Sequence, residues 1–206
     1  MESIRLFIAI EMSADVRRAL AQVQSRVRGE VAQSPVSLSL SRSIKWVDPE
    51  GAHLTLKFLG WVSPTNVPAI EDRLRTIGAS NLPLNLHLDG LGTFPSPQRA
   101  RVLWIGLAGD LDGLEALQRG VESAMQSLGF AAEERPFSPH ITLARLRDDA
   151  SPSERRQLAD IVSRLPTPPQ VSFRAQAISL MRSELSPSGA RYTRLALLPL
   201  AGTPTY

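Results

Sequence analysis

Cysteine is absent from the chain, which removes disulfides, thiolate nucleophiles and thiolate metal sites together. Lysine is nearly absent: of 23 basic residues only Lys45 and Lys57 are lysines, and the rest are arginines. Histidine occurs three times, at His53, His87 and His140. No apolar run approaches the roughly 20 residues that a membrane-spanning helix needs. The opening MESIRLFIAIEMSAD carries Arg5 inside a short apolar run and acids soon after, unlike a signal peptide. A soluble cytoplasmic protein with no membrane association is expected. The net charge of +3 over 206 residues permits an anionic or nucleic-acid substrate without demanding one. At 43% hydrophobic and 21% charged residues, the chain has material for one globular domain or two tightly packed lobes.

Two of the three histidines stand in the same setting. His53-Leu54-Thr55-Leu56 recurs 87 residues later as His140-Ile141-Thr142-Leu143. In a β-strand alternate side chains share a face. Each tetrapeptide therefore presents an imidazole and a hydroxyl on one side and two aliphatic residues on the other. Two such strands brought together would make a site of two imidazoles and two hydroxyls. One His-x-Thr is common by chance and is usually a satisfied strand histidine; two copies holding two of three histidines are not readily a coincidence.

The surrounding pattern supplies a scaffold. Residues 4–10 read as a short buried strand, followed by a helix to about Val31 with Val16, Leu20, Val23 and Val27 at helical spacing. The Ser-rich stretch 33–43 lacks periodicity and reads as a loop. A short strand at 44–47 leads through the turn Asp48-Pro49-Glu50-Gly51 into the first motif, and Gly60 is expected to end that strand. A helix to about Ile77 follows. Leu82, Leu84, Leu86 and Leu88 alternate as a half-buried strand, paired through a loop GLGTFPSPQR with residues 100–107. A further helix runs to about Leu128, and Arg135-Pro136-Phe137-Ser138-Pro139 gives an extended approach to His140. One more helix and two long strands, 171–181 and 192–200, joined by SELSPSGAR, complete the chain. The fold class expected is α+β. The expectation is a single domain over 1–206, made of two similar, intertwined lobes of mostly antiparallel sheet with helices outside. Each lobe carries one motif, 53–56 or 140–143, about a pseudo-two-fold cleft.

Imidazoles exchange protons near neutrality, and two facing one substrate can be poised as acid and base. Threonine hydroxyls are neutral donors suited to non-bridging oxygens of a phosphorane-like transition state. Such a set suits phosphodiester cleavage without a metal. A two-histidine metal site is the competing reading; only Asp48 and Glu50, in a turn, are near in sequence.

With RLFIAI, KW before the first motif, HLTLKFLG, GLGTFPSPQRARVLWIGL, ERPFSPHITLAR and SELSPSGARY, the chain resembles the 2H phosphoesterase superfamily nearly end to end. Within it the likeness is to the RNA 2′,3′-cyclic phosphodiesterase group, also described as 2′–5′ RNA ligases. The resemblance implies hydrolysis of RNA 2′,3′-cyclic ends to 2′-phosphomonoesters, with His53 as proton donor, His140 as proton acceptor, and Thr55 and Thr142 holding the phosphate. It implies no cofactor or metal, and RNA with 2′,3′-cyclic phosphate ends or small cyclic nucleotides as partners; a monomer is expected. Reversible 2′–5′ RNA ligation would use the same residues, and a non-catalytic RNA-end binder would not need two proton-transfer groups. The long Ser-rich stretch and Trp61, where a polar residue is expected, depart from the group.

Around the motifs, Arg145, Lys57 and Phe58 are candidate substrate contacts. Phe58 and Arg145 each lie five residues after their histidine, which in a regular strand sets them on the face opposite the imidazole. Phe58 therefore reads more as core than as a stacking platform. A strand end or bulge would bring Arg145 to the cleft. Lys57 has the parity of His53. His87 reads as exposed and uninvolved, Tyr192 as packing, and Trp46 and Trp104 as core or rim.

Overall fold

A computed structural model describes residues 2–186 and 189–201; Pro187 and Ser188, at the tip of the SELSPSGAR turn, lie outside the described residues. Nine strands form one antiparallel sheet: β1 Ile4–Glu11, β2 Ile44–Trp46, β3 His53–Val62, β4 Leu84–Phe94, β5 Val102–Gly109, β6 His140–Leu146, β7 Ser172–Ala175, β8 Ala177–Ser186 and β9 Gly189–Pro199. Five helices accompany them: α1 Ala14–Ala32, α2 Ser37–Ser43, α3 Val67–Ser80, α4 Leu111–Ser127 and α5 Pro152–Arg164. The strand order is β7-β4-β5-β6-β3-β1-β8-β9, with β2 also on β6. The α+β class and antiparallel sheet expected from the sequence are what the chain builds. The motif strands β3 and β6 lie in the middle, each with three further strands outward.

One face of the sheet is covered and the other is open. Leu6, Ile8 and Ile10 of β1, Leu54 and Leu56 of β3, and Ile141 and Leu143 of β6 share one core with helix residues such as Leu20, Leu74, Leu117 and Leu158. On the opposite face, among the described residues, Phe7, Ala9 and Met181, with Tyr192 against them, form a separate small cluster of buried apolar residues. Helix ends follow local chemistry. Ser13 caps α1, and Ser151 with Glu154 forms a capping box at α5. Arg155 is buried, and its guanidinium donates to the carbonyls of Ala100, Arg147, Asp148 and Ala150. That fork fixes the chain just past β6 to the entrance of β5.

Three local expectations fail for identifiable reasons. Residues 37–43 form α2, a seven-residue helix within the stretch read as a loop. It buries only Leu40 and Ser43, too few for a visible periodicity. The GLGTF segment is the second half of β4 rather than a loop. It crosses a bulge at Gly90, whose φ is 61°. Gly92 has to be glycine because a Cβ there would overlap the indole ring of Trp104. Gly60 does not end β3; the strand continues through it, at φ 72°, to Val62.

Candidate active site

The motif strands meet at a single antiparallel pair, Leu54 opposite Ile141, both fully buried. One step either way along that register sets His53 toward Thr142 and Thr55 toward His140. All four are half-buried on the open face, and neither threonine hydroxyl has a hydrogen-bond partner among the described residues. The strand parity expected from the sequence, an imidazole and a hydroxyl of each motif on one face, is what β3 and β6 present.

Each imidazole is held in the same way. His53 Nδ1 donates to the Gly51 carbonyl at 2.8 Å, and His140 Nδ1 to the Ser138 carbonyl at 2.7 Å. A carbonyl only accepts, so both rings carry hydrogen on Nδ1 and leave Nε2 free. Aromatic rings box them in. His53 is flanked by Phe7 (4.7 Å between centroids) and edge-on Tyr192 (5.0 Å). His140 has Phe94 edge-on at 4.9 Å and Trp104 at 6.5 Å. The short stretch read as a loop thus supplies one wall of the second histidine, and Tyr192, expected to pack, forms a wall of the first.

A one-residue bulge lies at the same point in each motif strand. Against β1, Ala9 pairs with Thr55 and Ile8 with Lys57, leaving Leu56 as the extra residue. Against β5, Trp104 pairs with Thr142 and Leu103 with Ala144, leaving Leu143 extra. A bulge re-aims every residue beyond it. Parity is reset after the third residue of each motif, so Phe58 and Arg145 come to the open face with the histidines, and Lys57 leaves it.

The consequences correct two side-chain expectations. Phe58 is 56% exposed rather than core. It stands opposite Phe7, with 6.0 Å between ring centroids. Lys57 is 5% exposed and faces the helices, where its Nζ donates to both Glu122 oxygens at 2.8 Å and to the Ala131 carbonyl at 2.9 Å. It is no substrate contact. Burial pushes the Glu122 carboxyl upward, but hydrogen bonds from Lys57, Gln126 and the Glu133 backbone outweigh this and hold it below the usual range.

Buried amides brace both bulges. Gln24 of α1 donates from Nε2 to the Leu143 carbonyl at 3.0 Å and to the Val47 carbonyl at 2.7 Å. Gln118 of α4 reaches the Leu56 carbonyl at 3.5 Å. The extra residue of each bulge drops out of the register with β1 or β5, and a helix amide donates to its carbonyl, which at Leu143 also accepts from the Val47 N–H at 3.0 Å.

Charge is placed unevenly around the rings. Arg145 is exposed, lies opposite both Val102 and Lys45, and neither cation has an ion-pair partner among the described residues. Like charges directly opposite repel, so this pair is poised for an anion. Glu11 pairs with His53 across β1 and β3, and its Oε1 accepts from Ser179 at 2.5 Å and Arg194 at 3.1 Å. Burial pushes the His53 imidazole below its ordinary value. The Gly51 hydrogen bond and the Glu11 charge oppose that, while Arg145 and His140 add to it. Burial likewise lowers His140, the Ser138 carbonyl opposes, and Arg145 adds; among the described residues no carboxylate stands opposite this ring as Glu11 does opposite His53. His87 lies away on β4, between Ala108 and Ser172. Among the described residues no three His, Cys, Asp or Glu side chains converge as a metal-holding group.

Residues 27–187 match the family model of the 2′-5′ RNA ligase superfamily. The chain belongs to that superfamily. It is 30% identical over 197 residues to an RNA 2′,3′-cyclic phosphodiesterase of Methanothermobacter thermautotrophicus, covering 96% of this chain and 99% of the relative. Among solved structures, a Thermus thermophilus protein superposes with a TM-score of 0.77 at 29% identity, covering 97% of this chain and 99% of that one. E. coli LigT complexed with 3′-AMP superposes at 0.73 with 27% identity over 97% of this chain and 99% of LigT. The likeness thus extends over the whole architecture and not the motif strands alone. Beyond the motif residues, sequence reasoning missed Glu11, Phe7, Phe94 and Lys45. Only the identity of the neighbouring strands, and not the sequence around each motif, could have singled them out.

Proposed function

We propose that the chain is an RNA 2′,3′-cyclic phosphodiesterase that works by paired imidazoles without a metal. The observation that carries this reading is the arrangement of two Nδ1–H imidazoles on adjacent strands around two hydroxyls and Arg145, none of which has, among the described residues, a partner at Nε2, at the hydroxyl or for the guanidinium charge. The names of its relatives point to the same substrate. Water attacks the cyclic phosphorus as His140 Nε2 takes its proton. The phosphorus–O3′ bond breaks and His53 Nε2–H protonates the departing oxygen, leaving a 2′-phosphomonoester and a 3′-hydroxyl. Thr55 and Thr142 donate to the non-bridging oxygens, and Arg145 faces the charge that builds there. Phe58, exposed on the same face, is suited to stack against the terminal base.

Glu11 supports the division of roles. A carboxylate beside an imidazole favours its protonated form, and Glu11 stands beside His53 alone. The ring with the carboxylate is the donor, and the ring without one is the acceptor. The paired bulges, each braced by a buried glutamine, also support an internal duplication of the chain about β3 and β6, within a single domain. The protein is expected to act as a monomer in the cytoplasm.

The test is hydrolysis of a nucleoside 2′,3′-cyclic phosphate in EDTA, with the product identified. Undiminished turnover to the 2′-phosphomonoester is expected. Complete dependence on added metal, or a 3′-phosphomonoester product, would overturn the mechanism. Reversible 2′–5′ joining would run the same steps with a ribose hydroxyl in place of water, and an assay with cyclic-phosphate and 5′-hydroxyl RNA halves separates it.

A further inference from the structure

The outer half of β3 carries two large aromatic side chains on the open face. Phe58 is 56% exposed and Trp61 is 71% exposed. Single exposed apolar residues are ordinary, but these two are aimed. The register of β1 and β3 shifts a second time, between Phe58 and Gly60, leaving Leu59 as the extra residue. Gly60 beside it takes a φ of 72° that other residues rarely adopt. The core face is satisfied by the flanking residues, since Leu59 and Val62 are buried, and Trp61 is turned out to the side of Phe58 and His53. Opposite Trp61 on β1 stands Arg5, which has no ion-pair or hydrogen-bond partner among the described residues.

Strand geometry gives the spacing. Phe7 lies between the rings of His53 and Phe58, at 4.7 and 6.0 Å between centroids, and Trp61 stands three residues, about 10 Å, beyond Phe58 along β3. An exposed aromatic series with an unpaired arginine, continuous with a phosphate site, is the chemistry that holds single-stranded nucleic acid: bases stack and the backbone meets the cation. A 2′,3′-cyclic phosphate closes the 3′ end of an RNA, so every other nucleotide leaves on the 5′ side of the terminal ribose. Continuity with the site therefore selects the occupant.

We infer that the Trp61–Arg5 end of β3 and β1 is a track for the single-stranded RNA upstream of the cyclic end, so that the enzyme prefers oligonucleotide ends to free cyclic nucleotides. The inference rests on the reading of the site as a cyclic phosphodiesterase. It adds a subsite that this reading does not require.

The experiment compares KM for a mononucleoside 2′,3′-cyclic phosphate with KM for a short unstructured oligonucleotide of the same terminal nucleoside. Wild-type protein is expected to show the lower KM for the oligonucleotide. Trp61→Ala should raise the oligonucleotide KM by about tenfold or more, the scale of one lost base–aromatic stack, and leave the mononucleotide kinetics unchanged. Arg5→Gln should flatten the salt dependence of the oligonucleotide KM alone. Equal KM values for both substrates in the wild type, or equal effects of Trp61→Ala on both, would overturn the track. So would a Trp61→Ala change from dimer to monomer in sedimentation with the oligonucleotide KM unmoved, which would make the patch a self-association face. Anisotropy titration of a labelled oligonucleotide ending in a 2′-phosphate reads the track without turnover. Trp61-dependent binding in a protein that hydrolyses neither substrate would uphold the track and overturn the catalytic reading, and no binding would overturn the track.

Discussion

At the scale of single residues, the two imidazoles are alike in tautomer and differ in their charged neighbours. Burial lowers both rings, so the free enzyme holds less than the usual proton occupancy at neutral pH. In the proposed mechanism the productive form has one ring protonated and one neutral. With both lowered from about 6.5, the fraction in that form peaks on the acidic side, so kcat/KM is expected to reach its maximum below about pH 6.5. Glu11→Gln removes the charge that favours His53 protonation and should move the alkaline limb of the profile to still lower pH. An unmoved limb would show that Glu11 does not act on the donor. Arg145→Gln removes a cation that disfavours both protonated rings, so both limbs should move up while KM rises. The His-x-Thr pairs are legible in the sequence because a period of two needs nothing beyond the strand. Glu11 is not, since its relevance depends on which strand lies beside β3.

At the scale of elements, the bulges at Leu56 and Leu143 decide which side chains reach the open face. Nothing in HLTLKF or HITLAR marks them; both read as unbroken alternation, and that alternation assigns Phe58 to the core and Lys57 to the cleft. Residues far away in sequence brace the bulges: the amides of Gln24 and Gln118 donate to the displaced carbonyls. Gln24→Leu removes the side-chain donor from the Val47 carbonyl and one of two donors from the Leu143 carbonyl, which keeps the Val47 N–H, a loss of about 0.5–1.5 kcal/mol per hydrogen bond. It should also lower kcat/KM through the misplacement of Arg145. In an Arg145→Ala background the kinetic part of the Gln24→Leu effect should vanish, since coupling of this kind shows as non-additivity. Additive kinetic effects would mean that Gln24 supports stability only. The Ser-rich helix α2 and the second half of β4 are hidden in the sequence for a related reason. Each is fixed by what it packs against, Leu40 in the core and Trp104 over Gly92, and neither has a periodicity of its own.

At the scale of the whole molecule, one sheet with a covered face and an open face accounts for both the core and the site. The alternating leucines and the amphipathic helices announce that division, and the antiparallel α+β architecture follows from them. The link between the motif strands has no such signal. Lys57, on the back of β3, holds Glu122 of α4, and Glu122 accepts from the Glu133 backbone at 3.1 Å, in the segment that leads to His140. The pair thus ties the first motif strand to the approach of the second. Lys57→Met leaves the Glu122 carboxylate partly buried without its cation and is expected to lower stability by about 3–5 kcal/mol, seen as a lower denaturation midpoint in urea. The Lys57→Met/Glu122→Leu double variant should recover much of that loss. Wild-type stability in Lys57→Met would dismiss the tie.

The central claim is that His53 gives a proton and His140 takes one. The pH profile of kcat/KM for a nucleoside 2′,3′-cyclic phosphate, measured for wild type, His53→Ala and His140→Ala, tests it most directly. Wild type should give a bell. Each variant should fall by about 10²–10⁴. The residual activity of His53→Ala should lack the alkaline limb, and that of His140→Ala the acidic limb. A bell that survives intact in either variant, or a near-normal rate, would remove that histidine from proton transfer.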